Sequence, residues 1–130
     1  MISPRPNFDK IAIVDDDEPL REALGSVLRA AGFRAAGFPS AEEFLESDGW
    51  QDTRCLILDV RLPGMSGIEL QRKLADANNA IPIIFVTGHG DPSLRGLLME
   101  AGACAFFNKP VRSDALLREI YAALRKHSSN

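Results

Sequence analysis

Two carboxylates, Asp15 and Asp16, follow the apolar run IAIV near the start of the chain. A third carboxylate, Asp59, follows the apolar run LIL, and a hydroxyl and an ammonium group, Thr87 and Lys109, end two later runs. The carboxylates offer only hard oxygen ligands, which suit Mg²⁺, and a cation would offset the repulsion between them. A metal, an ammonium, a hydroxyl and a carboxylate nucleophile are the groups that phosphoryl transfer needs. The residue types therefore predict phosphoryl-transfer chemistry.

These groups act together only if the fold brings them to one place. Short apolar segments alternate with longer amphipathic ones, and the apolar segments lie at 10–15, 33–38, 54–60, 81–88 and 103–109, of which the first, third and fourth are rich in Ile, Val and Leu. Continuous apolar runs favour strands covered on both faces, although 33–38 is weak in such residues. The alternation predicts an α/β fold with a doubly wound parallel sheet. Ligands bind such sheets at the carboxyl ends of the strands, where all of the groups above fall.

The amphipathic segments carry start signals for helices. An i, i+3, i+4 apolar stripe covers 20–28, and the acidic residues before it suit the positive end of a helix dipole. Two segments begin with the capping-box pattern S-x-x-E, which pairs a hydroxyl with a glutamate three residues later. The expected starts are Asp17–Pro19, Ser40–Glu43, Ser66–Glu69, Asp91–Pro92 and Ser113.

Composition and charge limit the other classes of protein to which the chain could belong. The chain has 130 residues and a formal net charge of −3, which indicate one domain without bulk electrostatic attraction to nucleic acid. We expect a cytoplasmic location, because the first residues lack the apolar region of a signal peptide and no run has the length of a membrane span. Cys55 and Cys104 lie in apolar segments without metal-ligand spacing, which indicates reduced core cysteines.

Four sequence pieces carry a resemblance to a known family. VDDDEP, LILDVRLPGMSGIEL, VTGHGD and AGACAFFNKP occur in this order over about residues 9–126. In that order and spacing they resemble the receiver domains of two-component response regulators, and GHGD resembles the branch of the nitrogen-fixation regulator FixJ. The resemblance implies a five-stranded (βα)5 sheet of strand order 2-1-3-4-5. It also implies an N-terminal extension at 1–9, a receiver domain at 10–126 and a polar tail at 127–130.

The resemblance also assigns roles around the acidic residues. It implies that Asp59 is the phosphoacceptor, that Asp16 binds Mg²⁺ directly and that Asp15 binds it more often through water. The backbone carbonyl of Arg61 resembles the third protein ligand, beside Asp59 itself. Lys109 resembles the phosphate-binding lysine, and the family has a cis peptide bond after it.

Two further residues resemble the parts of a switch. Thr87 resembles the switch hydroxyl and Phe106 the rotating switch aromatic, which we expect to turn inward when Thr87 moves toward the phosphorylated Asp59. Phe107 should alternate to the other sheet face as a core residue.

The resemblance implies a signalling domain that catalyses only its own phosphorylation and dephosphorylation. Its expected donor is a sensor histidine kinase or a phosphotransfer protein. The expected response surface is the face of the fourth helix, fifth strand and fifth helix, which would control an output domain for transcription that is absent here. A stand-alone receiver acting by protein–protein contact is the alternative. Dimers of the family commonly use this face, but Arg95, Gly96 and Leu97 differ from the residues usual there. The resemblance therefore does not decide whether this chain forms a phosphorylation-dependent homodimer.

Two other classes are alternatives. A haloacid-dehalogenase-type phosphatase would use Asp15 as nucleophile and Asp17 two residues on, but it expects Thr where this chain has Pro19 and leaves Asp59 unexplained. A flavodoxin-type binding module needs a Ser-, Thr- and Gly-rich first loop, whereas this loop is acidic. We expect His89 to be a solvated loop residue, and the sequence indicates no function for Trp50.

Overall fold

The structure, a computed structural model, describes residues 9–88 and 92–128. Strands and helices alternate along the chain, as the sequence predicts. The strands are β1 (Lys10–Val14), β2 (Arg34–Phe38), β3 (Cys55–Asp59), β4 (Ile83–Thr87) and β5 (Ala105–Asn108). The helices are α1 (Glu18–Ala30), α2 (Ala41–Glu46), α3 (Gly67–Asp76), α4 (Pro92–Glu100) and α5 (Ser113–Ser128), with a 3-10 turn at Trp50–Asp52.

The strands form one parallel sheet in the order β2-β1-β3-β4-β5, which confirms the predicted fold class. The order reverses between β1 and β3, where Val14 lies opposite Leu58. One residue further along β3, Asp59 pairs with Val86 of β4. The carboxyl ends of β1, β3 and β4 therefore meet at one edge, beside the switch point where such sheets bind ligands.

Two apolar layers cover the sheet. Alternate strand residues face opposite layers, which explains the uninterrupted apolar runs of β1, β3 and β4. One layer packs residues of α2, α3 and α4, including Phe44, Leu70 and Leu98, against sheet residues such as Phe85. The other packs α1 and α5, including Leu24, Leu28, Leu116 and Ile120. β2 lies at the sheet edge and is partly exposed, which accounts for its weak apolar pattern.

The helix starts mostly follow the predicted signals. Asp17 caps α1, since its side chain accepts a hydrogen bond from the Leu20 amide at 3.3 Å. Ser40 caps α2 through the Glu43 amide, and only the Ser66–Glu69 pair forms the complete capping box within the described chain. α5 begins at Ser113 itself.

Two helix boundaries lie at the limits of the described residues. Asp91, the predicted start signal of α4, lies outside the described residues, although α4 begins at Pro92 as expected. Helical backbone continues to Ser128, two residues into the predicted polar tail, because polar and basic residues suit the last turn of a helix.

The cysteines are free, as predicted. Burial raises the pKa of the Cys55 thiol to about 12, so this thiol stays protonated. Cys55 lies on β3 and Cys104 precedes β5, with β4 between them. Two strand spacings therefore separate their Cα atoms by roughly 10 Å, which is beyond the reach of a disulfide. Among the described helices, none is long and apolar enough to cross a membrane.

The α3 capping box gives a stability prediction. Hydrogen bonds from the Ser66 amide and hydroxyl lower the pKa of Glu69, so the folded state favours the ionised form. That contribution is complete above the ordinary glutamate pKa and is lost as pH falls through the lowered value. Glu69→Gln should therefore be less stable than wild type at pH 7, and the difference should shrink in acid.

Urea unfolding between pH 3 and 7 checks this expectation. The matched control is Ser40→Ala, which removes the cap hydroxyl of α2, where no complete capping box forms, and should cost about 1 kcal/mol across the range. A difference between Glu69→Gln and wild type that grows as pH falls would contradict the assigned direction.

Candidate phosphorylation and metal site

The sheet brings the predicted groups to one edge. Asp15 directly follows β1, Asp59 is the last residue of β3, and Thr87 is the last residue of β4. Lys109 directly follows β5, and its amide donates a hydrogen bond to the Thr87 carbonyl at 2.8 Å. Four strands thus supply the site, and main-chain pairing fixes their positions.

Three carboxylates form a cluster at this edge. Asp15, Asp16 and Asp59 each place a carboxylate oxygen within 4.8 Å of the others. Asp15 is fully buried and Asp59 is 5% exposed, whereas Asp16 is exposed to solvent. Hard oxygen donors at this spacing fit a divalent cation such as Mg²⁺.

Lys109 is the cation that contacts the cluster. Its Nζ lies 2.8 Å from Asp15 Oδ2 and 3.1 Å from Asp59 Oδ2. Burial alone would lower the pKa of Lys109, but the carboxylates of Asp15 and Asp59 raise it more, so the net shift is upward. The ammonium therefore remains charged at neutral pH and offsets part of the negative charge of the cluster.

The ionised form of Asp59 carries an electrostatic cost in the folded protein. Burial raises the pKa of Asp59, and the negative charge of Asp15 raises it further. The Arg61 amide, which donates to Asp59 Oδ1 at 3.2 Å, and Lys109 both oppose this shift, yet the pKa stays above its ordinary value. A further positive charge at the site would remove this cost.

Asp15 has one oxygen that is able to accept a further partner. Asp15 Oδ1 accepts a hydrogen bond from the Asp17 amide at 2.9 Å. Asp15 Oδ2 lies within ion-pair distance of Lys109, but it has no hydrogen bond of acceptable geometry although it is buried. A buried oxygen with an unused lone pair fits a site that also receives a cation or its water.

The loop after β3 packs tightly against Asp59. Gly67 begins α3, and its amide donates to the Val60 carbonyl at 3.0 Å. A Cβ at Gly67 would collide with the Asp59 carbonyl oxygen. Glu42 of α2 holds the same loop, because its carboxylate accepts from the Met65 amide at 2.8 Å. Sequence reasoning missed Glu42, since it lies 23 residues from Met65 and matches no motif.

The proposed switch residues sit beside the site. Thr87 is 1% exposed at the end of β4, and Phe106 is 6% exposed in the layer that includes α4. Phe106 is therefore buried against the layer that includes α4, next to the strand that carries Thr87. Phe107 packs against the opposite layer, as predicted, and the Lys109–Pro110 bond is cis.

Trp50 has a structural role, since its ring lies 5.7 Å from the Phe44 ring and packs against the α2–α4 layer. His89 lies outside the described residues.

Comparisons with known proteins agree with the fold. The profile of the family described as response regulator receiver domain matches residues 11–121. The response regulator protein TmoT of Ectopseudomonas mendocina is 50% identical over 115 residues, covering 88% of this chain and 52% of TmoT. The crystal structure of FixJ-N superimposes with a TM-score of 0.78 at 39% identity, covering 90% of this chain and 94% of FixJ-N.

The structure is thus an α/β domain with an acidic site where the strand order reverses. Its sequence also matches the receiver family over most of its length. The chain belongs to the response regulator receiver domain family. This result excludes the phosphatase and flavodoxin alternatives. The transcriptional regulatory protein FixJ of Bradyrhizobium diazoefficiens is 37% identical, and the match covers 89% of this chain and 57% of FixJ. The chain thus spans about half the length of TmoT and of FixJ.

The glycines give a prediction about the site. Gly67→Ala should destabilise the fold by roughly 3 kcal/mol, because the added methyl meets fixed backbone at Asp59. The matched control is Gly96→Ala in α4, where nothing lies within 4 Å of the added carbon. That variant should stabilise by up to about 1 kcal/mol through helix propensity. Chemical denaturation measures both, and equal effects would contradict the close approach at Gly67.

Proposed function

We propose that Mg²⁺-dependent transfer of one phosphoryl group to the Asp59 carboxylate switches this domain. The observation that carries the proposal is the position of Asp59, which contacts Lys109 at 3.1 Å and shares the carboxylate cluster with Asp15 and Asp16. No other described group of three or more acidic, His or Cys residues has this spacing.

The burial of each carboxylate supports a division of roles. Asp16 is exposed and would bind Mg²⁺ directly, whereas Asp15 is already engaged by the Asp17 amide and Lys109 and would bind it through water. Asp59 and the backbone carbonyl of Arg61 would complete the protein ligands. When bound, Mg²⁺ would neutralise charge on the oxygens of the transferred group.

The protein groups then account for the transfer. An Asp59 oxygen forms the new bond to phosphorus while the bond from phosphorus to the donor nitrogen breaks, and that nitrogen keeps the electron pair. Lys109 holds its proton and balances charge on the phosphoryl oxygens. Thr87 donates a hydrogen bond to one of those oxygens after moving toward Asp59. The donor in this proposal is a phosphohistidine of a sensor kinase or of a phosphotransfer protein.

The response would reach the face of α4, β5 and α5. Thr87 and Phe106 lie on neighbouring strands that pair in parallel, so a shift of one affects packing around the other. α4 contributes one buried residue, Leu98, while Leu97 is 64% exposed and Met99 is 37% exposed. An element with so little burial is a suitable part to move between two states.

The wider role follows from the relatives. TmoT and FixJ are about twice the length of the match, so we propose that a receiver at 10–126 controls a transcriptional output domain in the cytoplasm. The domain would catalyse only its own phosphorylation and dephosphorylation and would not bind nucleic acid itself. Its partners would be the kinase and the output domain.

Mass spectrometry tests the phosphoacceptor. Incubation with a small phosphodonor and Mg²⁺ should add one phosphoryl group of roughly 80 Da, and Asp59→Asn should abolish the adduct. Asp17→Asn is the matched control, because it neutralises a neighbouring carboxylate while Asn still caps α1. An adduct that persists on Asp59→Asn would overturn the assignment.

Amide exchange tests the switch. A beryllium fluoride mimic of the acyl phosphate should change protection across residues 88–107 in wild type. Thr87→Ala should lose most of that change while still binding the mimic. Thr53→Ala removes a different buried hydroxyl, 3% exposed and far along the chain, and should respond like wild type. Changes confined to the surroundings of Asp15 and Asp59 would show that Thr87 and Phe106 are not coupled.

A further inference from the structure

Arg21 reaches from α1 to the carboxylate-bearing end of β1. Its Nη1 donates a hydrogen bond to the backbone carbonyl of Asp15 at 2.7 Å. The Arg21 side chain is only 17% exposed, so most of it is held against the protein. A short hydrogen bond from a charged donor with little exposure is stronger than an ordinary surface contact.

The strand beside β1 leaves room for this side chain. Gly37 of β2 pairs with Ile13 of β1, and a Cβ at Gly37 would lie 3.3 Å from Arg21 Cδ. The bare backbone at Gly37 therefore allows Arg21 to lie across β2. The nearby carboxylate of Glu18 is 3.9 Å away and 73% exposed, so it contributes little to holding Arg21.

The carbonyl that Arg21 binds belongs to the peptide unit joining Asp15 to Asp16. Because a peptide unit is planar, fixing this carbonyl constrains the backbone dihedrals on both sides of it. The Asp15 amide is fixed as well, by the Phe38 carbonyl at 3.1 Å. Arg21 thus restricts the direction in which the exposed carboxylate of Asp16 leaves the backbone.

We propose that Arg21 is a positioning residue for the Mg²⁺ site, an inference that rests on the proposed role of Asp15 and Asp16 as its ligands. Arg21 acts through the Asp15–Asp16 peptide and touches neither the metal nor the phosphoryl group. Gly37 supports this position of Arg21, because its lack of a side chain leaves the space that the aliphatic part of the Arg21 side chain occupies.

Charge and position predict opposite effects of Arg21 on Mg²⁺. A nearby guanidinium repels a cation, so a purely electrostatic role means that removing it strengthens Mg²⁺ binding. A positioning role means that removing it weakens binding, because the ligands lose their fixed orientation. The sign of the change therefore separates the two.

Calorimetric titration of Mg²⁺ into the whole chain measures this sign. Arg21→Met, which keeps an apolar stem, should weaken Mg²⁺ binding about tenfold. Gly37→Ala should weaken it too, although every charge is kept, and Arg21→Lys should recover part of the loss. Arg29→Met removes an exposed arginine from the last turn of the same helix and should bind like wild type.

The outcomes are distinct. Tighter or unchanged binding by Arg21→Met, or equal weakening by Arg29→Met, would overturn the positioning role. Thermal unfolding without Mg²⁺ is measured alongside, and if Arg21→Met does not fold, Gly37→Ala decides by the same criterion. Failure of the wild type to bind Mg²⁺ would instead overturn the proposed metal site, and this inference with it.

Discussion

The mutual repulsion of three carboxylates is the constraint on which the site depends. Asp15, Asp16 and Asp59 bring oxygens within 4.8 Å of one another, and two of these residues are buried. Lys109 contacts two of the carboxylates and supplies one positive charge against three negative ones. The pKa of Asp59 stays raised, first by burial and then by the charge of Asp15, although the Arg61 amide and Lys109 lower it. A site with excess negative charge favours a divalent cation, as the proposed function requires.

The surrounding structure holds this unfavourable cluster in place. β1 and β3 pair in parallel and are buried on both faces, so their ends cannot move apart without breaking the core. The close approach of Gly67 and the Glu42 hydrogen bond to Met65 fix the loop after Asp59. α4 is different, because it buries Leu98 alone and exposes Leu97. The firmly packed strand ends would carry the chemistry, and the weakly buried α4 would take part in the response.

Much of the fold and the site was predictable because both depend on local pattern. Continuous apolar runs located the strands, and the polar residue that ends each run marked the carboxyl edge at Asp15, Asp59 and Thr87. Sequence reasoning could not find Glu42, because its role depends on a side chain reaching a loop that is distant along the chain. Strand alternation placed Phe106 and Phe107 on opposite faces of the sheet, as the structure has them.

Thermal unfolding with and without Mg²⁺ at constant ionic strength tests most directly whether the cluster requires a divalent cation. Wild type should become more stable as Mg²⁺ increases, by about 2.7 kcal/mol at a hundred times the dissociation constant. Asp16→Asn, which removes the exposed carboxylate, should lose most of this gain. A wild type that is indifferent to Mg²⁺, or an Asp16→Asn variant that gains as much as wild type, would contradict the account.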